Sequence, residues 1–411
     1  MCEQQKQKCK GCCQCDGSCS AAPGSSFHAQ VCDTRYNEAL TATGGRFPPE
    51  RADLQVDRRR TQKLLNSTHG QISLDVYLHI AKSSNCGSDV WHDEISDIIV
   101  QPVMTLLNVG ANKGYGIQRF LQRYRTLKAC CDSVHSWFLE VCNMAVASPS
   151  GAWRTCGACL DCAQEPPRRV QQVSHATAHA FELLNANAML LGRLFSRFGV
   201  DGRVHHVAMG AHTNMSAFEP AAELSIPTGD ERWSAGNSKS TVPVATMTLD
   251  TFARSQQLKC TWRLPNVNEG AGAGAARLHG LHVLIDTEGW DALVLEGAEE
   301  LLRRRHIDLL EFEYNGMGAW QQDSPIYGQR RRLHGVLRSL GRHGYECFFQ
   351  GTGQAISSHN KRVMAQLAPV SGQHWRPQYE HQGWSNLVCT HWEPVLKVMR
   401  RLSRIQLVHE V

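Results

Sequence analysis

In Asn108-Val109-Gly110-Ala111-Asn112-Lys113-Gly114, glycines stand where a short apolar run ends and a helical pattern begins. Glycine at such a point lets the backbone approach a ligand that a Cβ would exclude, and the unpaired N–H groups opening the helix favour an anionic moiety. The turn suits a dinucleotide, a phosphate or merely a tight connection. Ala180-Phe181-Glu182 sets an acid directly after a second apolar run. A carboxylate at a strand tip can accept hydrogen bonds from both ribose hydroxyls of an adenosine ligand, and its plainer role is that of a helix N-terminal acid. Sulfur offers a different chemistry. Cys156, Cys159 and Cys162 could turn three thiolates toward one tetrahedral ion, with Cys130, Cys142, His175 or His179 as the fourth ligand. Otherwise they are ordinary thiols in a surface excursion.

The elements that must position these groups follow from periodicity. Val103–Val109 reads as a buried parallel strand, and Ile117, Phe120, Leu121 and Tyr124 mark one face of the helix after Gly114. Further strands are expected at Thr177–Phe181, Val204–Met209, Leu281–Ile285 and Ile307–Phe312, with closing strands at Tyr345–Phe349 and Leu387–Val388. Leu293, Val294, Gly297, Ala298, Leu301 and Leu302 form the face of one helix between two of them. Strands alternating with helices predict an α/β fold, a doubly wound and mostly parallel sheet. Residues 129–176 are expected as a cysteine-rich insertion, and 69–411 as the folded domain. Residues 1–68, with Cys2, Cys9, Cys12, Cys13, Cys15 and Cys19 among Gln, Lys, Gly and Ser, read as a disordered tail.

The formal charge of +5 is modest, and no basic stripe carries interleaved aromatics, so nucleic acid is not an expected partner. Runs such as Arg303-Arg304-Arg305 and Arg330-Arg331-Arg332 read as solvated helix faces. No stretch of 18 or more apolar residues and no secretory leader are visible. A soluble cytoplasmic protein is therefore expected, with its 17 cysteines as reduced thiols or metal ligands.

Five motifs in order resemble the FkbM-type methyltransferases: Asn108 to Gly114, Phe181-Glu182, Val207-Ala208-Met209-Gly210, Thr248-Leu249-Asp250, and Ile285-Asp286-Thr287-Glu288-Gly289 with Leu295-Glu296-Gly297-Ala298. The resemblance spans roughly Leu106 to Phe349. It implies a class I, Rossmann-like fold and use of S-adenosylmethionine (SAM) to methylate a hydroxyl on a sugar, lipid or polyketide-like small molecule. Asn108, Gly110, Ala111, Asn112, Gly114, Glu182 and Ala208 would then hold the cofactor. Asp286, Glu288 and Glu313, at strand ends, are candidates to accept the acceptor's proton or to share a divalent ion that lowers its pKa. His212 is a reserve base, while His205 and His206 lie within a strand and read as structural. Three positions depart from the family: Asn108 replaces an acid, Leu183 a proline, and Leu284-Ile285 stand where a lysine usually precedes the aspartate. The rival readings are a silent SAM-binding protein on the same fold, or a metal-binding interaction module.

Overall fold

The computed structural model describes residues 90–99, 101–124, 137, 173–218, 242–256, 279–326, 329–350, 356–358, 361–364, 367–380, 385–403 and 406–409. Helix α1 (Val90–Ile99) leads into β1 (Val103–Val109), followed by α2 (Tyr115–Arg123), β2 (His175–Glu182), α3 (Asn185–Phe198) and β3 (Gly202–His206). Next come β4 (Ala208–Met209), β5 (Asn214–Phe218), β6 (Val242–Met247), α4 (Leu249–Ser255), β7 (His279–Ile285), α5 (Asp291–Glu296), α6 (Glu299–Arg303) and β8 (Leu309–Tyr314). A short hairpin, β9 (Asp323–Ser324) and β10 (Gln329–Arg330), precedes α7 (Leu333–Arg342) and β11 (Glu346–Gln350). The last elements are β12 (Ile356–Ser358), β13 (Lys361–Met364), β14 (Leu367–Pro369), β15 (Ser385–Thr390), α8 (Glu393–Leu402) and β16 (Gln406–His409).

Eight strands form the central sheet in the order β14-β11-β15-β8-β7-β1-β2-β3. From β3 to β8 all neighbours are parallel, and β15 then runs antiparallel to both β8 and β11. β1 can occupy the middle because its residues offer no face to water: six of its seven are buried. Burying each large apolar side chain contributes about 1.5–3 kcal/mol, which no edge position would match. From β1 the chain steps outward through β2 to β3, then returns to the far side of β1 for β7 and β8. The direction of winding therefore reverses between β1 and β7, the point at which open α/β sheets leave a crevice beyond the strand ends.

Alternating side chains build a core on each face. Leu107, Val109, Val283, Ile285, Leu310 and Phe312 pack against α4, α5, α6 and α7, while Met104, Leu106, Ala178 and Ala180 pack against α2 and α3. A third cluster joins α1 and α8 over Leu309, Phe348 and Val388. Among the described residues no helix is long and apolar enough to cross a membrane.

Several expectations need correction. The run expected as one strand from Val204 to Met209 is two, because Val207 leaves the central ladder and Ala208–Met209 pairs with β6 in a separate sheet. The helix expected through Leu293–Leu302 breaks into α5 and α6. At the break, Gly297 lies so close to Gly210 that a Cβ would stand 2.0 Å from the Gly210 carbonyl oxygen. Arg331 is not a solvated residue: its guanidinium grips Glu296 with two bonds of 2.8 and 2.9 Å, both side chains buried. Arg303 and Arg304 do face solvent, paired with Glu300. Finally, Cys347 and Cys389 are not free thiols. They stand opposite each other in the β11–β15 ladder, fully buried, and are joined as a disulfide. The closed loop between them suggests stabilisation of about 4 kcal/mol from restriction of the unfolded chain. The tail 1–68 lies outside the described residues, as does the cysteine-rich insertion 129–176 apart from residues 137 and 173–176.

Candidate functional site

Register brings three motifs to one edge. Val109 lies beside Phe181 on one side and Ile285 on the other, so the next residues in each strand, Gly110, Glu182 and Asp286, fall level. The Phe181 carbonyl accepts from both Gly110 N and Ala111 N at 2.9 and 3.1 Å, and Val109 O accepts from Asp286 N at 2.9 Å. This closeness explains Gly110: its φ is 73°, and a Cβ would lie 1.8 Å from the Asp286 carbonyl oxygen. No other residue fits. Gly114, with φ 79°, is the N-cap of α2, and Trp137 closes the turn by donating Nε1 to the Lys113 carbonyl at 2.9 Å.

Glu182 is 95% sheltered and ties the turn to its own strand: Oε2 accepts from Asn112 N at 2.7 Å and Oε1 from Leu184 N at 2.8 Å. The main chain of Val207 reaches the Glu182 carbonyl at 3.2 Å, which draws the third motif to the same edge, with Ala208 buried just beyond. Asn108 behaves differently. Its side chain turns under α2, where a Cβ on Gly116 would stand 3.3 Å from its Oδ1. Ala111 and Asn112 complete the turn, and Asn112 takes a left-handed φ of 46°.

The carboxylates gather at the ends of β7 and β8. Asp286 is exposed at the strand end, and loss of hydration beside the packed strands pushes its pKa up to about 6. Neither Asp286 nor Glu288 caps the next helix: the N-cap of α5 is Trp290, with no side-chain cap bond. Glu288 has φ 53°, a strained setting for a residue with a Cβ, next to Gly289 at φ 97°. Glu313 lies one residue inside the end of β8, and burial holds its carboxyl well above the usual range, helped by the charges of Asp286, Asp291 and Glu288.

Two site residues escape the sequence reading. Asp291, fully buried, accepts from Thr287 N at 3.2 Å, Thr287 Oγ1 at 2.7 Å and Glu313 N at 2.9 Å. Asn315 donates to Glu313 Oε1 at 3.1 Å and accepts from Met317 N at 3.0 Å. The signal for Asn315 was present, since Asn315-Gly316-Met317-Gly318 is a second glycine-bearing turn after a strand. Gly318 packs on the Gly289 carbonyl and joins the two turns. Asp250 of the fourth motif proves to be a brace, its two oxygens accepting from Glu300 N and Leu301 N at the start of α6.

The histidines lie apart from this group. His212 is exposed in the turn between β4 and β5. His205 stacks on Phe181 and shares a 3.2 Å contact with His179, and burial lowers both pKa values, His179 to about 4. His206 is exposed and meets the Leu183 carbonyl at 3.0 Å, while His175 pairs with Asp201 at 3.2 Å. Cys156, Cys159 and Cys162 fall outside the described residues. Among the described residues, no group of three or more His, Cys, Asp or Glu side chains could hold a metal ion. Comparison with protein-family models and with curated proteins finds no match to this chain.

Proposed function

We propose that the chain is a SAM-dependent methyltransferase of the class I, Rossmann-like kind, acting on a hydroxyl of a sugar, lipid or polyketide-like small molecule. One observation carries the reading: a glycine turn, a ribose-type acid and an accessible carboxylate stand level on three adjacent strands at the reversal of winding. The turn from Gly110 to Gly114 would hold the methionine portion of the cofactor and Glu182 the ribose. When bound, SAM supplies a methyl group on a sulfonium, ready for in-line displacement by a nucleophile. An alcohol is a poor nucleophile until it loses its proton, and Asp286 is the accessible base for that task. With a pKa near 6 it is largely ionised at neutral pH yet basic enough to accept a proton.

The silent-binder alternative rests on the lysine missing before Asp286. Leu284 packs beneath α2, against Gly116, and Ile285 enters the opposite core, so neither replacement intrudes on the crevice.

The direct test is calorimetry of the full chain with SAM, followed by transfer of a radiolabelled methyl to a panel of hydroxyl acceptors. Glu182→Ala is expected to weaken SAM binding by about 1.5–3 kcal/mol, the usual loss for hydrogen bonds to a charged group. It should also lower the melting temperature, because Asn112 N and Leu184 N lose their acceptor. Unchanged SAM affinity in a folded Glu182→Ala protein would remove Glu182 from the site.

A further inference from the structure

Asp286 opens a turn whose backbone bonds include Asp286 N to Val109 O, Trp290 N to Thr287 O and Ala319 N to Gly289 O. Thr287 to Gly289 includes two left-handed residues, and α5 starts only at Asp291. The Asp291 carboxylate adds a side-chain tie to these. One oxygen takes both the N–H and the hydroxyl of Thr287, the residue next to Asp286, and the other takes Glu313 N from β8. Asp291 thus bolts the turn after β7 to the backbone of the neighbouring strand. A residue serving only to start α5 would lie open to water in the first turn, but Asp291 has no exposed surface.

We propose that Asp291 is a positioning residue for Asp286: its carboxylate ties the turn that carries the base to the backbone of β8. The role assigned to Asp286 rests on the methyltransferase reading; the tie made by Asp291 does not. Burial raises the pKa of Asp291 to about 7, the charge of Asp286 adds to the rise, and the bonds from Thr287 and Glu313 oppose it. The other groups facing the pair are Glu288 on the turn and Glu313 on β8, whose carboxyl is held well above the usual range; Asn315 meets them as a neutral amide.

The experiment is a carbon-13 NMR titration of the full chain labelled at aspartate Cγ, with no ligand present. The resonances are assigned by their loss in Asp286→Asn and Asp291→Asn. In the wild type the Asp286 curve should be centred near pH 6, and in Asp291→Asn, which removes a neighbouring acid and slackens the turn, its midpoint should fall. Thr287→Val removes only the hydroxyl donor and should lower the Asp286 midpoint by roughly half a pH unit or more as the loosened turn takes up water; Thr287→Ser, which keeps it, should leave the midpoint in place. If Asp291→Asn fails to fold, the Thr287 pair still decides. An Asp286 curve with the same midpoints in wild type and in folded Thr287→Val overturns the proposal. Because no cofactor is added, a failure of the protein to bind SAM would sink the methyltransferase reading and leave this result standing.

Discussion

Asp286→Asn is expected to slow methyl transfer by roughly 10²–10⁴-fold while leaving SAM affinity within a few-fold, the pattern of a lost general base. The amide keeps the shape of the carboxylate but cannot take a proton. Its other consequence runs in the opposite direction. The folded pKa of Asp286, about 6, lies above its ordinary value of 3.8, so the ionised form is disfavoured by folding. Between those two values the native state binds more protons than the unfolded chain, and stability therefore falls as pH rises through this window. Turnover in the wild type should climb over the same window as Asp286 ionises. At pH 8 the Asp286→Asn protein is expected to melt no lower than the wild type, and to lack the acid limb of the pH–rate profile. A residue with a structural role would behave the other way, with a lowered melting temperature and nearly intact turnover. Normal turnover in the folded variant would exclude Asp286 as the base.

The second large effect belongs to Gly110. Gly110→Ala forces a Cβ to within 1.8 Å of a backbone oxygen at a φ of 73°. The left-handed conformation alone costs about 1–2 kcal/mol, and overpacking typically adds about 1–3 kcal/mol. Backbone cannot swing aside as a side chain can, so the β1 turn and the Asp286 strand end must part. SAM binding should be lost altogether, together with a marked drop in melting temperature. Gly192→Ala in α3 is the control: nothing lies within 4 Å of its Cβ, and alanine in mid-helix should add about 0.5–1 kcal/mol of stability. Gly110→Ala protein that binds SAM with wild-type affinity would show that the cofactor does not use this turn.

The strands and motifs that stand level at the crevice were legible because each is a local signal. An apolar run without a polar face marks β1, and a glycine or an acid at its end marks the turn or the tip. Asp291 was not legible for the opposite reason. In the sequence it is an acid at the start of a helix, a common place for one, and only the register of β7 against β8 brings Glu313 N to its carboxylate. The break between α5 and α6 was hidden in the same way, since Gly297 carries a helical pattern and is displaced by a carbonyl nearly ninety residues earlier in the chain. Arg331 also misled: a run of three arginines looks solvated until the bidentate partner Glu296 comes from another element.

The bond between Cys347 and Cys389 turns part of the polypeptide into a covalent ring. The ring holds β12, β13 and β14, and its closing link lies in the core where neither sulfur is exposed. A protease that cuts once anywhere between those cysteines opens the ring without dividing the molecule. The nicked protein keeps its mass on a non-reducing gel and separates into two chains only when thiol is added. The part of the chain that follows the cut stays tethered through Cys389 to β11.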